Sequence, residues 1–119
     1  MKKLIKSFGY AFRGIGQAFK SEPNMRIHLT ITLFVIAGGF LLHISVTEWF
    51  VCLLCVGLVV GAELLNTSIE KLVDLVSPEY NPKAGKVKDL SAGAVMVGAI
   101  ISAIIGIIIF APKIWDLLF

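Results

Sequence analysis

The chain has 119 residues, 57% of them apolar and 16% charged, which is the length of one domain but not the composition of a water-soluble one. Its net charge of +3 does not point to nucleic acid, because the basic residues flank apolar segments, where membrane topology places them. No Walker A loop, G-x-G-x-x-G or kinase catalytic-loop signature is present, and the two histidines belong to no ligand cluster.

Residues 1–26 read as a surface helix and turn. Ile5, Phe8, Phe12, Ile15 and Phe19 recur every three or four residues in a stripe about 80° wide, opposite Lys6, Arg13, Gln17 and Lys20. Such a helix lies in the membrane interface, with aromatics in the acyl boundary and cations among anionic headgroups. The apolar stretch that follows starts too late for a cleavable signal peptide and has no small-residue cleavage site after it. Ser21-Glu22-Pro23-Asn24 ends this helix; Pro23 suits a first helical turn, and Ser21 or Glu22 the capping position.

Residues 27–47 contain no Asp, Glu, Lys or Arg and form the first membrane span, since about 20 apolar residues cross a hydrocarbon core as a helix. The polar turn His43–Glu48 ends it, with His43 at the interface, and Trp49 anchors the second span, 48–76. That span is uncharged only from Trp49 to Ala62, so it crosses only if its helix continues through Glu63–Asp74. Cys52 and Cys55, one turn apart in its apolar part, read as small hydrophobes rather than a redox or metal pair. Gly57 and Gly61 form a G-x-x-x-G, a face for close helix packing.

A breaker-rich loop occupies 77–88. Lys88-Asp89 opens the third span, 89–111, which runs through Ser91, Ala92, Gly93, Ala94 and Gly98 and closes at Pro112 and Trp115. Lys and Arg gather before the first span and around the second loop, whereas Leu42–Glu48 has none. The N-terminus and the 77–88 loop are therefore expected on the cytoplasmic side of the membrane, and the C-terminus outside. The expectation is a single-domain, all-α membrane protein with an amphipathic surface helix and three transmembrane helices. So few spans cannot bury a polar stripe alone, so self-association is expected too.

That stripe is Glu63, Asn66, Thr67, Glu70 and Asp74. At about 100° per residue these five share one narrow face of the helix. Charge at bilayer depth is expensive, so its presence there points to function. Clustered carboxylates repel unless a cation joins them, and oxygen-only ligands favour Mg²⁺ or Ca²⁺. From the residues alone, three classes stay open: an enzyme phosphorylating a lipid headgroup, a small proton or cation carrier, and a structural membrane protein.

Glu63-x-x-Asn66-Thr67-x-x-Glu70-x-x-x-Asp74, followed by Glu79-Tyr80 and Lys88-Asp89, resembles the prokaryotic diacylglycerol kinase and undecaprenol kinase family. Gly9-Tyr10-Ala11-Phe12-Arg13-Gly14 and Glu22 match its N-terminal pattern. The resemblance implies a homotrimer with shared active sites at the cytoplasmic side, ATP as cosubstrate and Mg²⁺ as metal. It implies Glu63 as general base, Asn66 as the polar group beside it, and Glu22 and Glu70 as metal ligands that also hold the nucleotide. Asp74 would support the site. Tyr10, Glu79, Tyr80, Asn81, Lys88 and Asp89 are the implied nucleotide contacts, with Lys3 at a further basic position. Diacylglycerol kinases of enterobacteria carry an acidic residue where this chain has His28, and His where it has Asn81. The His28 pattern, with Ile44–Trp49, is similar to the undecaprenol kinases. The implied substrate is therefore undecaprenol, with diacylglycerol as the alternative and a proton or cation carrier as a remote one.

Overall fold

The computed structural model describes Met1–Phe119 as four helices: α1 (Lys2–Ser21), α2 (Pro23–Leu41), α3 (Val46–Val76) and α4 (Pro82–Leu118). The last three are long and apolar enough to cross a membrane. At about 1.5 Å per residue, α3 and α4 are longer than a hydrocarbon core of roughly 30 Å, so their polar ends extend past it. α3 and α4 pack along each other, α2 lies against α3, and α1 crosses beside α2 and α3.

Each boundary has a local cause. Glu22 is the extended N-cap residue between α1 and α2, and Pro23 follows it at a position where no N–H is needed. Ser45 and Glu48 form a capping box at the start of α3: the Ser45 hydroxyl accepts from the Glu48 N–H, and the Glu48 carboxylate from the Ser45 N–H. α2 stops because His43 takes a left-handed conformation, φ 51°, and the Ile44 N–H then reaches back to the Gly39 carbonyl at 3.1 Å.

Two boundaries correct the sequence expectation. The connection between the last two helices is only Ser77–Asn81; α4 starts at Pro82, with the Lys83 N–H donating to Asn81 Oδ1 at 2.9 Å. Lys88 and Asp89 therefore lie in the second turn of a helix and not at its start. Pro82 tolerates a first-turn position, so the breaker-rich stretch needs fewer residues than its composition suggests. At the other end α4 runs through Pro112 to Leu118. One lost N–H costs less than ending a helix where lipid offers the backbone no other partner.

Only 12 of 119 residues are buried, so most apolar side chains are left for lipid or for another copy. The small core lies near the Leu42–Ser45 turn, where Ile44, Cys52 and Ile109 meet Trp49 and Phe110. Cys52 and Cys55 are free thiols, and Cys52 packs in that core as a small apolar residue, as expected. The glycines that bring helices together are Gly38, against the Phe110 ring, Gly39, against the Trp49 ring, and Gly98, against Leu58 and Val59. Beside Gly57 and Gly61 there is open space, so the G-x-x-x-G is not an intrachain packing face. Along α1, Ile5, Phe8 and Phe12 stay exposed, an apolar stripe that nothing else in the chain covers.

Candidate active site

The face of α3 that turns toward its neighbours is polar. Glu63 is 2% exposed, and Asn66 and Thr67 are buried with it, within a helix otherwise built of Leu, Val and Ile. One α-helical face carries all three because Glu63, Asn66, Thr67 and Glu70 are spaced three or four apart. The Asn66 Nδ2 amide donates to Glu70 Oε1 at 3.2 Å, so the amide and that carboxylate act as a unit. Asn66 Oδ1 and the Thr67 hydroxyl are buried with no hydrogen-bond partner. The Ser91 hydroxyl on α4 is likewise buried and unpaired. Lys88 meets Asp74 and Gly98 meets Val59, and by that antiparallel register Ser91 falls level with the stripe. Buried polar atoms without partners are rare, and several at one level of the membrane mark a place where a ligand can supply the missing bonds.

Glu63 has one ionisable neighbour within 4 Å. His28, two turns into α2, places Nε2 at 3.6 Å from Glu63 Oε2, with the imidazole only 16% exposed. In the sequence, His28 is a marker of substrate class only. Nothing in spacing along a chain pairs residues 28 and 63; only the packing of α2 on α3 does.

Lys88 Nζ on α4 bridges to Asp74 Oδ1 on α3 at 2.5 Å, both groups being partly exposed. Asp74 thereby holds the ammonium of Lys88, one of the nucleotide contacts that the family resemblance implies. The connecting segment carries Glu79, Tyr80 and Asn81, all exposed, beside the exposed Asp89. Asn81 has a structural duty as the α4 cap. Tyr80 is 91% exposed and touches no other site residue closely enough to be held.

Two hollows flank the stripe. A groove of about 550 Å³ between α1 and α3 is lined by Tyr10 and Gln17 on one side and by Thr67, Ser68 and Lys71 on the other. It brings Tyr10 to the stripe, and the Arg13 guanidinium lies over the Tyr10 ring at 5.5 Å. A cavity of about 270 Å³ lies among α2, α3 and α4; its wall is mostly apolar, with His28 and Thr32 at one end and Phe110 toward the other. Glu22 sits at the junction of α1 and α2, half-buried, without a hydrogen bond from its side chain. No three His, Cys, Asp or Glu side chains of the single chain converge on one point. Glu22 and Glu70 are therefore not members of a preformed cage of three or more protein ligands.

The sequence profile described as prokaryotic diacylglycerol kinase matches residues 9–110. The undecaprenol kinase of Bacillus subtilis (strain 168) is 42% identical over 113 residues, covering 95% of this chain and 92% of that protein. The diacylglycerol kinase of Helicobacter pylori (strain J99) is 36% identical, covering 87% and 81%. That of Escherichia coli (strain K12) is 28% identical, covering 86% and 84%.

Proposed function

The chain belongs to the prokaryotic diacylglycerol kinase family and is a membrane lipid kinase, and from that premise we propose that it transfers the γ-phosphoryl group of ATP to a long-chain polyprenol, undecaprenol, at the Glu63–Asp74 stripe. The observation that carries this is the buried, partly unpaired polar face of Glu63, Asn66 and Thr67 at membrane depth. Glu63 takes the proton of the lipid hydroxyl. The freed oxygen forms a bond to the γ-phosphorus as the bond to the β–γ bridging oxygen breaks, and ADP leaves. Positioning and charge neutralisation do most of the work in such transfers, so few groups are needed.

Carboxylate oxygens and an unpaired amide oxygen form a hard-cation donor set, which fits Mg²⁺. Glu22 and Glu70 would hold it, with Asn66 fixing the Glu70 carboxylate. Two carboxylates are enough, because Mg²⁺ usually completes its shell with water and substrate phosphate. When bound, the ion neutralises the phosphate charge that develops during transfer. Lys88, aimed by Asp74, meets the phosphates from α4, and Tyr10 reaches the nucleotide from the α1–α3 groove, with Glu79, Tyr80, Asn81 and Asp89 around its outer side. The Ser77–Asn81 end faces the cytoplasm, where ATP is.

The polyprenol reading rests on the 42% identity to an undecaprenol kinase and on the cavity beside His28. A polyprenol has no polar group but its hydroxyl, which suits a wall that is mostly apolar, with His28, Thr32 and the unpaired Ser102 hydroxyl among its few polar groups. The ester carbonyls of a diacylglycerol would lie there with few donors to meet them. Open space beside Gly57 and Gly61 and the exposed apolar faces of the helices support a trimer that completes each site. The test is a competition in mixed micelles with labelled ATP, undecaprenol and diacylglycerol. Preferential labelling of undecaprenol is expected; preferential formation of phosphatidic acid would reverse the substrate assignment.

A further inference from the structure

We propose that His28 is a positioning residue for Glu63, donating from Nε2 to the carboxylate so that its second oxygen is presented to the lipid hydroxyl. This rests on the reading of Glu63 as the base. Several donors at this level are committed, while the Thr67 and Ser91 hydroxyls are unpaired and make no hydrogen bond to Glu63. The Asn66 amide donates to Glu70, the Thr32 hydroxyl to the His28 carbonyl, and Lys88 to Asp74. No hydrogen bond reaches the Glu63 carboxylate, although the residue is 2% exposed, and His28 is its single ionisable neighbour within 4 Å.

The 3.6 Å separation is just beyond hydrogen-bond reach, and a small turn of either side chain closes it. Catalytic hydrogen bonds are often long before substrate binds and shorten in the complex. A proton on Nε2 suffices, so the contact works with the neutral tautomer and requires no change of charge. A buried carboxylate with one fixed oxygen cannot rotate freely, and misplacement of a base by about 1 Å can cost on the order of 10²-fold in rate. His28 also lines the apolar cavity, so it stands between the base and the end of the lipid chain that carries the hydroxyl.

The test compares His28→Ala, His28→Asn and His28→Gln in the full-length protein, with undecaprenol and Mg·ATP varied separately. The Gln amide nitrogen reaches about as far as Nε2, and the Asn amide falls short. His28→Ala and His28→Asn should lose roughly 10- to 100-fold in kcat with KM for Mg·ATP within about twofold of wild type, and His28→Gln should recover most of that loss. A wild-type kcat for His28→Asn, a His28→Gln as impaired as His28→Ala, or a loss confined to KM for Mg·ATP would each overturn the proposal. If His28→Ala fails to assemble by size exclusion, the Gln and Asn pair decides alone. Glu63→Gln run alongside separates the two ideas. An active Glu63→Gln removes the base reading and this proposal with it, whereas an inactive one beside a fully active His28→Asn removes only the role of His28.

Discussion

At the Leu42–Ser45 end of the bundle, Ser45 and Glu48 satisfy each other's backbone, Lys113 reaches Glu48 at 3.3 Å, and Ile44 closes the end of α2 onto Gly39. At the level of the stripe, Asn66 Oδ1, Thr67 Oγ1 and Ser91 Oγ are buried with no partner, and Glu63 has a single neighbour beyond hydrogen-bond distance. The first region answers its own polar groups and seals itself with Trp49 and Ile44 against Gly39. The second leaves buried bonds unmade. Satisfied networks specify a fold, whereas unsatisfied ones in a native protein call for something that binds.

Substitutions can break this division or sharpen it. The largest effect belongs to Glu63→Gln, which should lower phosphoryl transfer by on the order of 10³-fold while insertion and thermal stability in detergent stay as in the parent. Near-normal turnover would place the base elsewhere. Glu70→Ala should weaken productive Mg·ATP binding by roughly 10- to 100-fold, seen as a rise in the Mg²⁺ concentration for half-maximal rate. An unchanged Mg²⁺ dependence would take the metal away from α3.

The turn end should behave in the opposite sense, altering stability and sparing the chemistry. A methyl at Gly39 would meet the Trp49 ring at 2.6 to 2.7 Å. Gly39→Ala should therefore destabilise by about 1–3 kcal/mol in denaturant titration, with kcat of the folded fraction unchanged. The smallest effect is His43→Gly. A left-handed backbone strains a residue with a side chain, and relief of that strain outweighs the added freedom of the unfolded chain, for a gain on the order of 0.5 kcal/mol. A loss of activity in either variant, with stability unchanged, would dissolve the contrast between the ends.

Much of this was legible before any coordinates. The charge-free runs, the heptad-like stripe on α1 and the spacing of Glu63, Asn66, Glu70 and Asp74 each express a helical period, and periods are local. The Ser45–Glu48 capping box was also within reach, since Ser-x-x-Glu before an apolar run is its signature. The start of α4 was misplaced because Pro and Gly read as breakers whether they stop a helix or sit in its first turn. Nor could Gly57 and Gly61 be told from Gly39 and Gly98 as packing residues, because a glycine carries no mark of what lies across from it.

The amino-acid order by itself determined that the chain crosses a membrane as helices and that one of them carries a polar stripe at depth. Both follow from the cost of exposing backbone or charge to lipid, which acts residue by residue. Only the tertiary structure decided that His28 faces Glu63, that Asp74 holds Lys88, and that the stripe turns inward with two of its own oxygens and that of Ser91 left unpaired. Those facts depend on how α2 and α4 lie against α3, and side-chain contacts between helices are set by their mutual rotation and height, which no local period records.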